Sequence, residues 1–195
     1  MKNRASKRAA FGLSLFFAGV ALAVVGATHG LSAQRAVAVT SVDGVYGLRL
    51  SSRKAEQAVR EAAIASSVAK LDDEAAKYWQ GVLEMMATPQ GRVAIATANG
   101  EIAIATGDRP ALKSAATGTS RELGESSQLS QKVESGALVQ RVTSATLGRD
   151  TLDTPLQITR KHALGKDEST LTVETRIEGA VLTQAVVFTT TYDRI

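Results

Sequence analysis

From Arg92 onward the chain switches between apolar and polar positions at the two-residue period of β-strands. The clearest case is Val93 to Ala98 and Glu101 to Thr106, which flank Asn99-Gly100. Asn-Gly supplies the two positive φ angles of a type I′ turn and so predicts a two-residue hairpin. That loop sets Thr97 opposite Ile102, Ala96 opposite Ala103 and Ile95 opposite Ile104. The large residues then share one face and the alanines share the other. The alanine face admits either a closely packed helix or a ligand.

Further strands are predicted over Ala111 to Ala116, Leu129 to Val133, Ala137 to Thr146 and Leu156 to His162. Leu171, Val173, Thr175 and Ile177 alternate with Thr172, Glu174 and Arg176, which gives one dry and one wet face. Gln184 to Arg194 closes the chain, with Val186, Phe188 and Tyr192 on one parity. Thr117 to Ser127 reads as a polar loop, and Gly148 to Pro155 as a longer connection. Before all of these, Gly44 to Leu50 alternates, with Tyr46, Leu48 and Leu50 on one face.

Residues 52–87 break this pattern. They are rich in Ala, Glu, Lys and Gln, which favour helices. Ser51 or Ser52 suits the start. Ala55, Val59, Ala62, Ala63 and Val68 recur at helical spacing. Leu71 to Glu74 interrupts them, and an Asp there suits the cap of a second helix. That helix carries Ala75, Tyr78, Trp79, Val82, Leu83 and Met86, and ends at Pro89 and Gly91. The expectation is a helical hairpin, with one kinked helix as the alternative. Trp79, Met85 and Met86 either pack onto the sheet or line a ligand pocket.

The first ten residues carry Lys2, Arg4, Lys7 and Arg8 and no acid, and Phe11 to Ala27 follows without a charge. A basic stretch before an apolar run is the pattern of a secretory signal peptide. At 17 residues the run falls short of the roughly 20 that span a bilayer. Cleavage fits after Ala27 or, preferred here, after Ala33, with an uncleaved anchor as the alternative. The expected organisation is a signal peptide over 1–33 and a single domain over 34–195. With no Cys near the run there is no lipobox, so a periplasmic or secreted protein is expected, with no permanent membrane span after cleavage.

This leader alters the charge reading. The chain has 23 basic and 19 acidic residues; without the four leader charges, 19 basic residues remain and the domain is neutral. No basic run is interleaved with aromatics, so no nucleic-acid partner is expected. Cysteine is absent, which removes thiol chemistry and thiolate metal sites. Aromatics are 4% of the chain, too few for the stacking platforms of sugar or single-strand sites.

Catalytic and metal motifs are missing from the expected mature chain. It keeps one histidine, His162, in a strand with Arg160 on the same side. It reads as solvated or structural and not as the base of a triad. There is no nucleophile elbow, phosphate loop or His pair. Asp72, Asp73 and Glu74 read as a helix cap, and Asp167-Glu168 is too small for a calcium loop. No metal or cofactor is expected.

The closing stretch resembles the last two strands of bacterial exported proteins with a lipocalin-like β-barrel, a group of mostly unknown function. The matching residues are Leu171 to Ile177, then Val186 to Phe188, Tyr192 and Arg194. Gly44-Val45-Tyr46 stands where lipocalins carry Gly-x-Trp. The fold class expected is mainly β with a helical insert (α+β): an antiparallel lipocalin-like barrel or half-barrel of about eight or nine strands. The functional expectation is a non-enzymatic protein binding a small apolar or amphipathic ligand, with Tyr46, Trp79, Met86, Ile95, Ile104, Phe188 and Tyr192 as candidate contacts. A filled structural or interaction module is the alternative. A third is an enzyme using His162, Glu174, Arg176 or Tyr192.

Overall fold

The structure, a computed structural model, describes residues 42–124, 126–147 and 150–195. The leader expected over 1–33 lies outside the described residues.

The chain runs β1 (Gly44–Leu48), α1 (Arg53–Val68), α2 (Asp73–Ala87), β2 (Arg92–Ala98), β3 (Glu101–Thr106), β4 (Leu112–Ala115), β5 (Arg121–Gly124), β6 (Ser127–Glu134), β7 (Ala137–Leu147), β8 (Asp150–Leu164), β9 (Thr170–Glu178) and β10 (Val186–Arg194). One antiparallel sheet joins the ten strands in the order β4-β3-β2-β1-β10-β9-β8-β7-β6-β5. The two ends of that order come together. Ser114 of β4 donates to Gln131 of β6 at 2.9 Å, Thr117 bridges Lys132, and Arg121 donates to the Lys113 carbonyl. The result is a nearly closed barrel.

The β2–β3 hairpin has the expected register, with Ile95 opposite Ile104 and Thr97 opposite Ile102. Asn99 and Gly100 take φ values of 53° and 78°, as the tight turn requires. Val93, Ile95, Ile102 and Ile104 are buried. The alanine face is turned outward, away from the barrel interior, and Ala96 and Ala98 are exposed.

Ten strands exceed the eight or nine expected. The extra strand is β5, inside the stretch read as a polar loop. All four of its residues are exposed, so no hydrophobic pattern marked it. β8 also runs through the stretch read as a connection. Its pairing with β7 shifts between Ser144 and Thr146, and that irregularity absorbs Pro155. β9 ends where predicted, at Gly179. A Cβ there would collide with Leu156 Cδ2.

The helical hairpin forms as two helices. Asp72 caps α2, its carboxylate accepting from the Ala75 amide at 2.8 Å. Substituting Asp72 with Ala is expected to lower stability by about 1 kcal/mol, with Asp72→Asn close to neutral, in urea denaturation. Ser52 occupies the start of α1 but makes no capping bond. The buried face of α1 follows the predicted stripe in its second half, where Ala63 and Val68 pack on the core, but not in its first. Ala55, Val59 and Ala62 are exposed, while Ile64, Ser67 and Val68 are buried. The first half of α1 runs beside β10 beyond the reach of β1. There Glu56 accepts from the Thr191 amide at 3.4 Å, and Arg60 lies over the Phe188 ring. A polar face serves a strand edge better than an apolar one, because the edge presents unpaired backbone groups.

Side chains inside the barrel form two apolar clusters. At one end α1 and α2 seat Ile64, Val68, Trp79, Val82, Leu83 and Ala87 on Leu156, Ile158, Ile177, Val186 and Phe188. At the far end Val42, Tyr46, Val93, Ile95, Ile102, Ile104, Leu138, Leu171, Val173 and Tyr192 close the barrel. Among the described residues no helix is long and apolar enough to cross a membrane.

Candidate functional site

The candidate ligand contacts divide between these clusters. Trp79, Met86 and Phe188 belong to the helix end, and Tyr46, Ile95, Ile104 and Tyr192 to the far end. All but Met86 are buried. Met85 and Tyr78 point to solvent, at 58% and 52% exposure. Leu50 lies beyond β1 and is exposed.

Between the clusters runs a belt of polar side chains that sequence reasoning missed. Register places it directly: Thr175 of β9 pairs Arg160 of β8, which pairs Gln140 of β7, which pairs Gln131 of β6. Ser114 of β4 completes the row through its hydrogen bond to Gln131 Oε1. His162 stands one inward position along from Arg160, diagonal to Gln140. Each belongs to the inward parity of its strand. Gln131 lies between Leu129 and Val133, Gln140 between Leu138 and Val142, and Arg160 between Ile158 and His162. The parity of apolar neighbours two residues away was therefore the available signal, but polar residues at those positions disguised the alternation.

The belt has unmet hydrogen-bonding capacity. Gln131, Gln140 and His162 are 0%, 3% and 1% exposed. Gln131 Nε2, Gln140 Nε2 and both His162 ring nitrogens have no partner among the described residues. Such groups are rare, since each costs roughly 1–3 kcal/mol when left unpaired. Arg160 is half-buried and forms none of the ion pairs found among the described residues. Burial lowers its pKa, with repulsion from Arg109 adding to this, while the Tyr192 hydroxyl favours its charged form. Burial, and then the charge of Arg160, depress His162 to about 3. The imidazole is therefore neutral at physiological pH and not solvated, as one sequence reading had it. Burial raises Tyr192 to about 12 against the opposing pull of Arg160.

The four residues of the enzyme alternative do not converge. His162 and Tyr192 face inward, whereas Glu174 and Arg176 are exposed on the outer face, where Arg176 pairs Glu178 at 2.8 Å. Among the described residues no group of three or more His, Asp or Glu is placed to hold a metal ion. An open cleft of about 430 Å³ on the outer surface is lined by Thr143, Pro155, Gln157, Glu178, Gly179 and Ala180. The sheet separates it from the belt.

No family model matches the chain, and no curated protein or solved structure matches it significantly.

Proposed function

We propose that this is an exported, non-enzymatic, lipocalin-like protein that binds a small amphipathic molecule inside its barrel. The observation that carries the reading is the polar belt set between two apolar clusters. Three buried side chains there retain unmet hydrogen bonds, and the helix-end cluster beside them offers aliphatic and aromatic surface. An interior stabilised by its own packing alone gains nothing from such groups, because apolar side chains in their place avoid the desolvation penalty. Small sites of this kind are mostly apolar with a few placed polar groups. The basic and apolar leader supports export, and the alternation of β9 and β10 supports the lipocalin-like likeness.

A filled structural module is the second reading, favoured by the burial of six of the seven candidate contacts. Trp79, the single tryptophan of the chain, separates the two. It projects from α2 into the helix-end cluster and reports on occupancy of that end. Titrating the purified protein with decanoic acid and decan-1-ol is expected to change Trp79 emission saturably at one equivalent, with a matching adduct in native mass spectrometry. If neither probe changes the emission or adds mass, the barrel is a filled module.

A further inference from the structure

We propose that the polar belt is an anion subsite: it takes the carboxylate head group of a fatty-acid-like ligand, with Arg160 as its counter-charge. This rests on the reading that the barrel binds an amphipath, and it fixes which end of that molecule goes where.

The sign of the site follows from a census of its free groups. Arg160 has donors only, and no carboxylate of the described residues lies in ion-pair range of it. The buried unpaired atoms of Gln131 and Gln140 are both amide nitrogens, again donors. Ser114 fixes that orientation for Gln131 by donating to its carbonyl oxygen. Neutral His162 adds one N–H donor, one acceptor nitrogen and no charge. Glu56, the acid whose charge acts on Tyr192, is engaged with the Thr191 amide on the β10 edge. Unpaired groups, most of them donors, thus stand in adjacent register positions on three neighbouring strands beside one positive charge. What they lack is an acceptor carrying one negative charge.

A carboxylate meets that description best. Its single charge neutralises a single guanidinium, and its two oxygens match the planar donor fork of Arg. A phosphate monoester would bring a second charge at a further desolvation cost, and Arg109, the second cation that acts on Arg160, is exposed and outside the belt. The apolar side of the site is next in register. Ile158 stands one inward position from Arg160 towards the helices, and Phe188 lies opposite Thr175. A hydrocarbon chain leaving the belt in that direction enters the cluster that contains Trp79.

The test measures binding of decanoate, decan-1-ol and acetate to the wild-type domain, Arg160→Met, Arg160→Lys and Gln140→Leu by Trp79 emission and calorimetry. Wild type is expected to prefer decanoate over decan-1-ol by about tenfold or more, as a charge-assisted pair would give. Arg160→Met is expected to erase that preference, to keep decan-1-ol binding and to melt higher without ligand. Arg160→Lys and Gln140→Leu should each reduce the preference, so the subsite remains testable if the Met variant does not fold. Equal binding of acid and alcohol to wild type overturns the anion subsite and leaves the amphipath reading standing. A preference unchanged in both the Arg160→Lys and Gln140→Leu variants also overturns it, because the carboxylate then sits elsewhere. Acetate binding as tightly as decanoate removes the apolar chain from the site and so overturns the fatty-acid-like ligand. Binding of none of the probes overturns both proposals.

Discussion

Replacing Leu83 with Ala is expected to destabilise the domain by about 2–5 kcal/mol, the range for a fully buried leucine whose site cannot collapse. Leu83 is 0% exposed and sits where α2 meets the inner face of β8, β9 and β10. Its neighbours there come from two rigid layers, helix and sheet. Neither can close the void without moving the other, so the cavity term adds to the lost transfer energy. Two residues along the same helix, Met85 is 58% exposed. Met85→Ala should stay within about 0.5 kcal/mol of wild type. Urea denaturation of both variants gives the comparison. A Leu83→Ala loss no larger than that of Met85→Ala would mean that the hairpin is not seated on the barrel.

Acid should weaken the domain well above the range in which its carboxylates titrate, and His162 should be the cause. The native imidazole is held near 3, whereas an unfolded histidine titrates near 6.5. Above pH 6.5 neither state binds the proton, and the group contributes nothing. Between 6.5 and 3 only the unfolded state takes it up, so stability falls with pH by up to about 1.4 kcal/mol per unit. By pH 5 the loss is about 2 kcal/mol. Asp193, Asp167, Glu134 and Glu178 are held below their ordinary values by Arg49, Ser169, Lys132 and Arg176 respectively. They add to the loss only at lower pH, within and below the ordinary carboxylate range. His162→Leu should flatten the stability profile from pH 7 to 5, and it sacrifices no hydrogen bond because neither ring nitrogen has one among the described residues. An unchanged slope in that variant would show that the imidazole is not buried and neutral.

What the sequence disclosed follows from how locally each element is determined. Asn99-Gly100 dictates its own turn, so the β2–β3 hairpin was readable to the residue. Asp72 was readable as a cap, and Leu171 to Ile177 as one dry face, because each depends on near neighbours. In α1, Ala63 and Val68 were readable as core, but the outward turn of the first half was not, since it is chosen by the open edge of β10 far along the chain. β5 carries no apolar pattern, and its pairing with β6 alone makes it a strand. The belt was the hardest to see. Gln131, Gln140 and Arg160 look like breaks in amphipathic strands until the register stacks them side by side. Periodicity locates a core by its hydrophobicity, so it passes over polar groups placed inside one.

The strand order also bears on how the chain completes itself. Every pairing among the described strands joins sequence neighbours or short hairpins except those of β1 with β10, where Arg49 pairs Asp193 across 144 residues. Closing a loop of that length costs about 4 kcal/mol in chain entropy, and the cost precedes the contacts that offset it. The first strand therefore has to wait for the last. Until β10 arrives the barrel is an open curved sheet with its interior exposed, so a growing chain cannot close prematurely however long it has been in solution. For a protein proposed to leave the cytoplasm, that delay keeps the chain threadable until β10 is made.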